Sequence, residues 1–466
     1  MQSTFLIWHL HMQKRTNLVV LGWLTLAVVV CYANSLNGEF QFDDYNVIVN
    51  NPRVHAWSSW LEGLTLGIRP LLKVSYTINW TMNTGVIGFH ITNVLIHLAN
   101  SFLVYLLGKE FIQMQWQAEK LKNAAFISAL LFSVHPIHTE AVTYICGRSS
   151  SLMTFFYLAG ILTYISGRVQ QSNIKIYHLT PLLFIAALSV KETAVTFPFA
   201  LLLWEYACGG KWQPSLRQLW PSCLVFLFGG LIFILNQSYA SQMLRSLEFN
   251  SLQGNTATQL DAFTYLLKQW IIPIALNIDT DLKLQHNLSQ SAQPLTVFVI
   301  LFSLMLVCLR RRPWVSFAIA WVMLQLIPLH LLLPRLDIAN DRQMYLAGWP
   351  IFLSVVIELI LVINQRALQI SMILLFIICS SLTILRNRDY VTEISLWEDT
   401  LKKSPYKARV HNNLGYAYLL AHRNREARHE FITALKIDPS LYKARYNLYR
   451  VDDEISATAI TYQSAR

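Results

Sequence analysis

Charge is what this chain has least of. Asp, Glu, Lys and Arg make up 14% of its 466 residues, against about 25% in a soluble globular domain. That shortfall excludes a single soluble body. Six cysteines are too few for a disulfide scaffold, and 17 glycines and 15 prolines, without a period, exclude collagen-like or low-complexity chains. No Walker loop and no Gly-rich dinucleotide loop occurs, so no site for ATP or a soluble nucleotide is read. What is present in excess is apolar: 54% hydrophobic residues and a mean hydropathy of +0.39. A polytopic, all-α membrane protein is the class that remains.

Eleven apolar runs are candidate spans, at about 17–34, 88–108, 124–134, 152–167, 176–189, 195–208, 219–236, 296–309, 314–332, 344–363 and 367–385. The first has no small-residue cleavage site after it and is expected to be retained. The net charge of +11 reads as orientation rather than as a nucleic-acid footprint. Lys14, Arg15, Lys109, Lys120, Lys122, Arg168, Lys175, Lys211, Arg217, Arg310, Arg311, Arg312 and Arg366 fall on short loops of one side, with only Glu110 and Glu119 among them. The positive-inside rule puts that side in the cytoplasm. The long loops 35–87 and 237–295 and the tail then face out, with Glu205 and Glu358 in span ends.

In the tail, Leu414-Gly415, Tyr418, Ala427, Phe431, Ala434 and Pro439 keep the spacing of a tetratricopeptide (TPR) repeat of about 34 residues. Trp397, Thr400 and Pro405 mark a preceding half-repeat, and a further helix starts near Tyr442. The chain therefore divides at 385/386, with the short helical solenoid expected to lean on the membrane domain. A groove of this kind either binds polypeptide or is a helical cap without a ligand, and the sequence leaves both readings open. Its candidate contacts are Asn412, Asn413, Tyr416 and Asn447.

The scarce charges recur in clusters on the outer side. Asp43 and Asp44 follow the first span; read as an extended segment, they point to opposite sides, one toward a cleft and one toward backbone. His135-Pro136-Ile137-His138-Thr139-Glu140 follows the third, with Pro136 suited to a first helical turn. Glu140, Tyr144 and Arg148 would then share a helix face. His135 and His138 could bind a divalent metal, but no third ligand is in pattern; a hydrogen-bonded cap is the favoured reading and no metal is assigned. Lys191-Glu192 lies between spans five and six. Asp341, Arg342 and Tyr345 open the tenth, and Arg69 precedes Pro70 at the end of the first loop. Acids and guanidinium groups at one membrane face suit transfer from an anionic, lipid-linked donor: Arg matches phosphate oxygens, and a carboxylate takes a proton from an attacking hydroxyl.

These runs (GEFQFDDYNVIVNNPRV, RPLLKVSYTINW, GFHITNVLIHLANSFLVYLL, HPIHTEAVTYICGRSSSL, KETAVTFPFALLLWE and DRQMYLAG, then the helical repeats) resemble the transmembrane-and-TPR-containing O-mannosyltransferase family. The resemblance implies a C-type (GT-C) multi-pass glycosyltransferase. It would move a sugar, mannose or another hexose, with inversion, from a polyprenyl phosphate to Ser or Thr hydroxyls of exported proteins. By resemblance Asp43 and Asp44 are the catalytic acids, Asp43 the favoured base. Arg342, Arg148, Lys191 and Arg69 are candidates for the donor phosphate. His135, His138, Glu140, Glu192, Asp341 and Tyr345 are supporting residues. Two departures stand out: Gly147-Arg148-Ser149-Ser150 lacks the family's acidic residue, and Gln343 replaces an aromatic. The short array suggests a bacterial member, in the inner membrane with a periplasmic tail and an undecaprenyl carrier; a eukaryotic member would place the tail in the ER lumen. The alternatives are transfer to a lipid or glycan acceptor, and a non-enzymatic scaffold docking through its tail.

Overall fold

The computed structural model describes residues 2–64, 68–115, 119–207, 216–235, 251–328 and 337–464, with residues 241 and 331. Cys208, Lys211 and the stretch 242–250 of the second long loop lie outside them. Among the described residues the regular structure is helical throughout, and the chain is an all-α polytopic membrane protein.

The described part of each expected apolar run is largely helical, but not every helix is a straight span. Arg15–Asn37, Gly85–Gln113, Ile145–Gln170, Leu288–Cys308 and Gln365–Asp389 are long and apolar enough to cross a membrane. Two further candidates are bent. Ala124–Val134 meets Pro136–Val142 at 55°, and Asp341–Ala347 meets Trp349–Val362 at 62°. Prolines explain both breaks: Pro136 and Pro350 each sit in the first turn of the second limb, where a missing N–H costs nothing. Lys175–Val190, Arg217–Ile232 and Pro313–Leu326 are shorter apolar helices.

The core forms where small residues let helices approach. Gly85–Gln113 packs on Ala124–Val134, Arg148–Gln170 and the first helix, Gln2–Tyr32. A methyl on Gly108 would come within 3.3 Å of the Ala125 side chain. At the periphery the pattern inverts. The most apolar windows of Leu288–Cys308 and Gln365–Asp389 are only 11% buried, with Ile300, Val307, Ile373 and Ile378 exposed. Outward aliphatic stripes of that extent suit a hydrocarbon solvent, not water. The two acids in span ends are paired: Glu205 with Arg168 and the Tyr164 hydroxyl, and Glu358 with Arg312 and the Trp314 indole.

The tail continues from Gln365–Asp389 into Glu393–Lys403, which Thr392 opens with a reciprocal cap to Ser395. Ala408–Leu420 and Asn424–Ile437 pack as a hairpin, and Tyr442–Ser464 follows. Of the positions singled out for a repeat, this hairpin buries Leu414, Gly415, Tyr418, Ala427, Phe431 and Ala434, while Pro439 is exposed. Ala427, Phe431 and Ala434 are fully covered, and the Phe431 ring lies so close to Gly415 that a Cβ there would meet it at 2.8 Å. The tail is fastened to the membrane domain. Trp397 packs edge-on against Phe42 at 5.1 Å. Arg409 joins Asp279 (2.8 Å) to Asp337 (2.5 Å), Lys407 also reaches Asp279 (2.6 Å), and Asn277 donates to the Ser404 hydroxyl (2.8 Å).

Candidate functional site

The two adjacent acids have different surroundings, though not because the backbone is extended. Asp43 and Asp44 begin a helical turn that runs on through Tyr45–Val49. Neighbours on a helix diverge by about 100°, so the carboxylates part all the same. Phe42 turns the chain into this segment with a φ of 48°, a strained value for a residue with a side chain. Asp44 is buried. Its oxygens accept the N–H of Gln41 (3.0 Å) and of Cys146 (2.8 Å), so it ties the first loop to the 135–148 segment. Burial pushes Asp44 up to about 7 against those hydrogen bonds.

Asp43 is half-buried, and its backbone N–H donates to the Tyr144 hydroxyl at 3.1 Å. Burial raises Asp43 above the ordinary carboxylate range, the Arg342 guanidinium offsets part of the rise, and Asp337 adds to it. Burial raises Asp337 too, but Arg409, Arg342 and Lys407 outweigh it and hold Asp337 below its usual value.

The 135–148 segment is broken rather than continuous, which corrects the single-face reading. Thr139–Val142 ends, Tyr144 is extended (ψ 124°), Ile145–Gly147 is a tight turn, and a new helix starts at Arg148. Gly147 makes the break possible, since a Cβ there would sit 2.0 Å from the Glu140 carbonyl. Glu140 and Arg148 consequently serve different neighbours. Glu140 is buried beside Arg342, accepting its backbone N–H at 3.0 Å and facing its Nε at 3.4 Å. Arg148 is fully buried and braced: Nε donates to Asn93 (2.6 Å), Nη1 to the Ser75 carbonyl (3.0 Å) and Nη2 to the Phe89 carbonyl (2.9 Å). With every guanidinium nitrogen donated to protein, Arg148 has no edge left for a phosphate. The structure removes it from the donor set.

His135 caps its turn, its Nδ1 accepting the Ile137 N–H at 3.3 Å, and its ring stacks on Trp270. His138 is packed among Phe132, Tyr345 and His97. Among the described residues no group of three or more His, Cys, Asp or Glu side chains could hold a metal ion. Asp341 is buried and accepts the Asn277 N–H at 2.9 Å. The Tyr345 hydroxyl lies 2.7 Å from His97 Nδ1 and accepts from Asn100 at 3.2 Å. Arg69, in a left-handed conformation (φ 56°), makes a two-pronged ion pair with Glu192 at 2.8–3.1 Å. That engagement makes Arg69 a loop anchor rather than an open phosphate ligand.

The remaining cations meet at a cavity. Lys191 and Arg342 border a small cavity of about 30 Å³ with Ser150, Thr154, Thr193, Gln325 and Gln343. Lys191 is buried and donates to Ser150 at 2.8 Å. The hydroxyls of Thr154 and Thr193 are buried without a hydrogen-bond partner. Such groups are rare in folded proteins and point to a polar occupant. Two cations with hydroxyl and amide groups around them can hold an anion and orient a polyol. Sequence reading missed Asn93, His97 and Asn100, a polar stripe at i, i+4 and i+7 within an apolar span; intramembrane polar residues were the available signal. It also missed Gln325, Asp279 and Arg409. In the tail, Asn447 donates to Asn412 (3.1 Å) and Asn412 to Asn413 (3.2 Å), with Tyr416 exposed alongside on the same helix.

No family model and no solved structure matches the chain. Curated proteins do. A protein O-mannosyl-transferase of Caenorhabditis elegans is 26% identical over 462 residues, which cover 91% of this chain and 63% of that protein. The protein O-mannosyl-transferase TMTC1 of Homo sapiens is 27% identical over 91% of this chain and 55% of its own length. TMTC4 of Homo sapiens is 33% identical, over 30% of this chain and 23% of its own length. The chain thus spans between half and two-thirds of the relatives it matches along most of its length, and it is similar to these O-mannosyl-transferases.

Proposed function

We propose that this TMTC-like chain is a glycosyltransferase that moves mannose or another hexose from a polyprenyl-phosphate donor to Ser or Thr hydroxyls of exported proteins. The observation that carries the reading is the cavity between Lys191 and Arg342, with two buried hydroxyls that lack partners. Arg342 is held along one side by Glu140, which orients its guanidinium. The two cations would bind the donor phosphate and stabilise the charge that grows as it leaves. Gln325, Gln343, Thr154 and Thr193 would hydrogen-bond the sugar.

Asp43 would serve as base. Its carboxylate takes the proton of the acceptor hydroxyl, the oxygen attacks the anomeric carbon from the face opposite the phosphate, and the bond to the phosphate oxygen breaks with its electron pair. The product is an inverted glycoside. Asp44, already committed to two N–H donors, keeps Asp43 in place. Residues 1–385 would form the transferase domain and 386–466 a TPR domain presenting acceptor polypeptide along Asn412, Asn413, Tyr416 and Asn447. The outer ends of the spans would face periplasm or lumen, with the N-terminus cytoplasmic; a bacterial inner membrane and an undecaprenyl carrier are our assignment.

Mass spectrometry of exported proteins from cells with and without this protein tests the reading. Loss of a hexose from defined Ser or Thr residues is the expected result. An unchanged exported glycoproteome, with hexose missing instead from a lipid or glycan, would move the activity to another acceptor class.

A further inference from the structure

A shallow surface depression in the first outer loop, with no enclosed volume, is bordered by Arg53, Trp60, Leu64 and Lys73. Neither Arg53 nor Lys73 has an acidic partner among the described residues. Their charges act against each other: burial first, then the nearby Arg53 and Arg69, pull Lys73 below its ordinary value. Clustered like charges cost free energy unless an anion joins them. The rim has a second character. Trp57 and Leu61, on the short helix Trp57–Glu62, are 50% and 62% exposed, and Leu64 is exposed beside them. Trp60 has its indole N–H fixed on the Pro70 carbonyl at 3.1 Å, so its ring forms a side of the depression.

Exposed tryptophan and leucine beside uncompensated cations is the composition of a membrane interface, where rings sit at headgroup depth and basic groups meet lipid phosphate. We propose that Arg53 and Lys73 bind the phosphodiester of an anionic glycerophospholipid, with Trp57 and Leu61 set into the same leaflet, at a site separate from the Lys191–Arg342 cavity. A free phosphate shares the anion chemistry, but it gives the exposed apolar rim nothing to cover. The lipid would hold the loop that carries Asp43 and Arg69 against the membrane surface.

The full chain in detergent, examined by native mass spectrometry with phosphatidylglycerol or phosphatidylcholine, tests the assignment. The wild type is expected to retain phosphatidylglycerol preferentially. The double variant Arg53→Gln, Lys73→Gln is expected to lose about thirty-fold in retention, the effect of two interfacial cations. Arg53 is exposed, so Arg53→Glu alone gives a variant that does not put folding at issue and should lose most of the preference. Trp57→Ala with Leu61→Ala should weaken lipid retention further, and Arg342→Gln should leave it unchanged, which separates this site from the donor cavity. Equal retention of the two lipids by the wild type, or unchanged retention by both cation variants, would overturn the proposal. Displacement of phosphatidylglycerol by inorganic phosphate would assign a free-anion site and overturn it equally.

Discussion

Two regions of this protein hold the same residue types and use them in opposite ways. In the 135–148 segment and its surroundings the polar groups are closed upon each other. His135 caps its own turn, Asp44 is filled by two N–H groups, and Arg148 spends every guanidinium nitrogen on protein oxygens. Around Lys191 and Arg342 the polar groups border a small cavity. Glu140 steadies Arg342, Ser150 accepts from Lys191, and the buried Thr154 and Thr193 hydroxyls have no hydrogen-bond partner among the described residues. An arginine at a membrane face is therefore not by itself a ligand for phosphate. What separates a brace from a ligand is how many of its donors the protein has already used.

That comparison can be broken experimentally. Arg148→Ala should cost the most stability, about 3–5 kcal/mol, because it strands Asn93 and two buried carbonyls around an empty space; thermal unfolding in detergent checks it. A protein that unfolds normally and loses only transfer would return Arg148 to the donor site. Arg342→Gln should lower transfer by about 10²–10³, beyond the stability it loses by leaving the buried Glu140 without its cation. It should also move the acidic limb of the pH profile upward. The Arg342 charge lowers Asp43, so its loss lets burial raise that carboxyl further, and the base is protonated at higher pH. A limb that stays put would disconnect the two residues.

Asp44→Asn should destabilise by about 1–3 kcal/mol, since an amide can accept only one of the two N–H bonds and leaves the other donor unpaired. The sign of its pH effect is fixed. Asp44 is raised to about 7 in the folded protein, from about 3.9 in the unfolded chain. Its contribution to stability is present below about pH 4 and is lost as pH rises through about 7. Unfolding measured across that window should be flatter in Asp44→Asn. The smallest expected effect is at the tail. Arg409→Gln should cost about 1 kcal/mol, because Lys407 still covers Asp279, while loosening the contact to Asp337, the acid that raises Asp43.

Much of the architecture was legible because hydrophobicity is a property of runs. The described part of every expected apolar segment is largely helical, and Pro136 marked one of the two bends. The site was legible as a set of residues but not as a set of roles. Spacing put Glu140, Tyr144 and Arg148 on one face; the helix breaks because Gly147 lets the chain fold onto the Glu140 carbonyl, an approach that depends on tertiary packing. The separation of Asp43 from Asp44 was anticipated on an extended backbone and arises on a helical one. The pairing of Arg69 with Glu192 joins residues 123 positions apart, a distance at which no local pattern operates. The Asn93, His97 and Asn100 stripe was visible as polar residues inside an apolar span, and its partners, Arg148 and Tyr345, were the residues that needed explaining.

In the proposed mechanism Asp43 is the base that serves the Lys191–Arg342 cavity. The most direct test of that role is sugar transfer from a polyprenyl-phosphate mannose donor to a Ser/Thr peptide by purified Asp43→Asn protein, set against wild type of equal thermal stability. The account predicts a loss of about 10²–10⁴ in rate with donor binding retained. Near-normal transfer by the folded variant would contradict it.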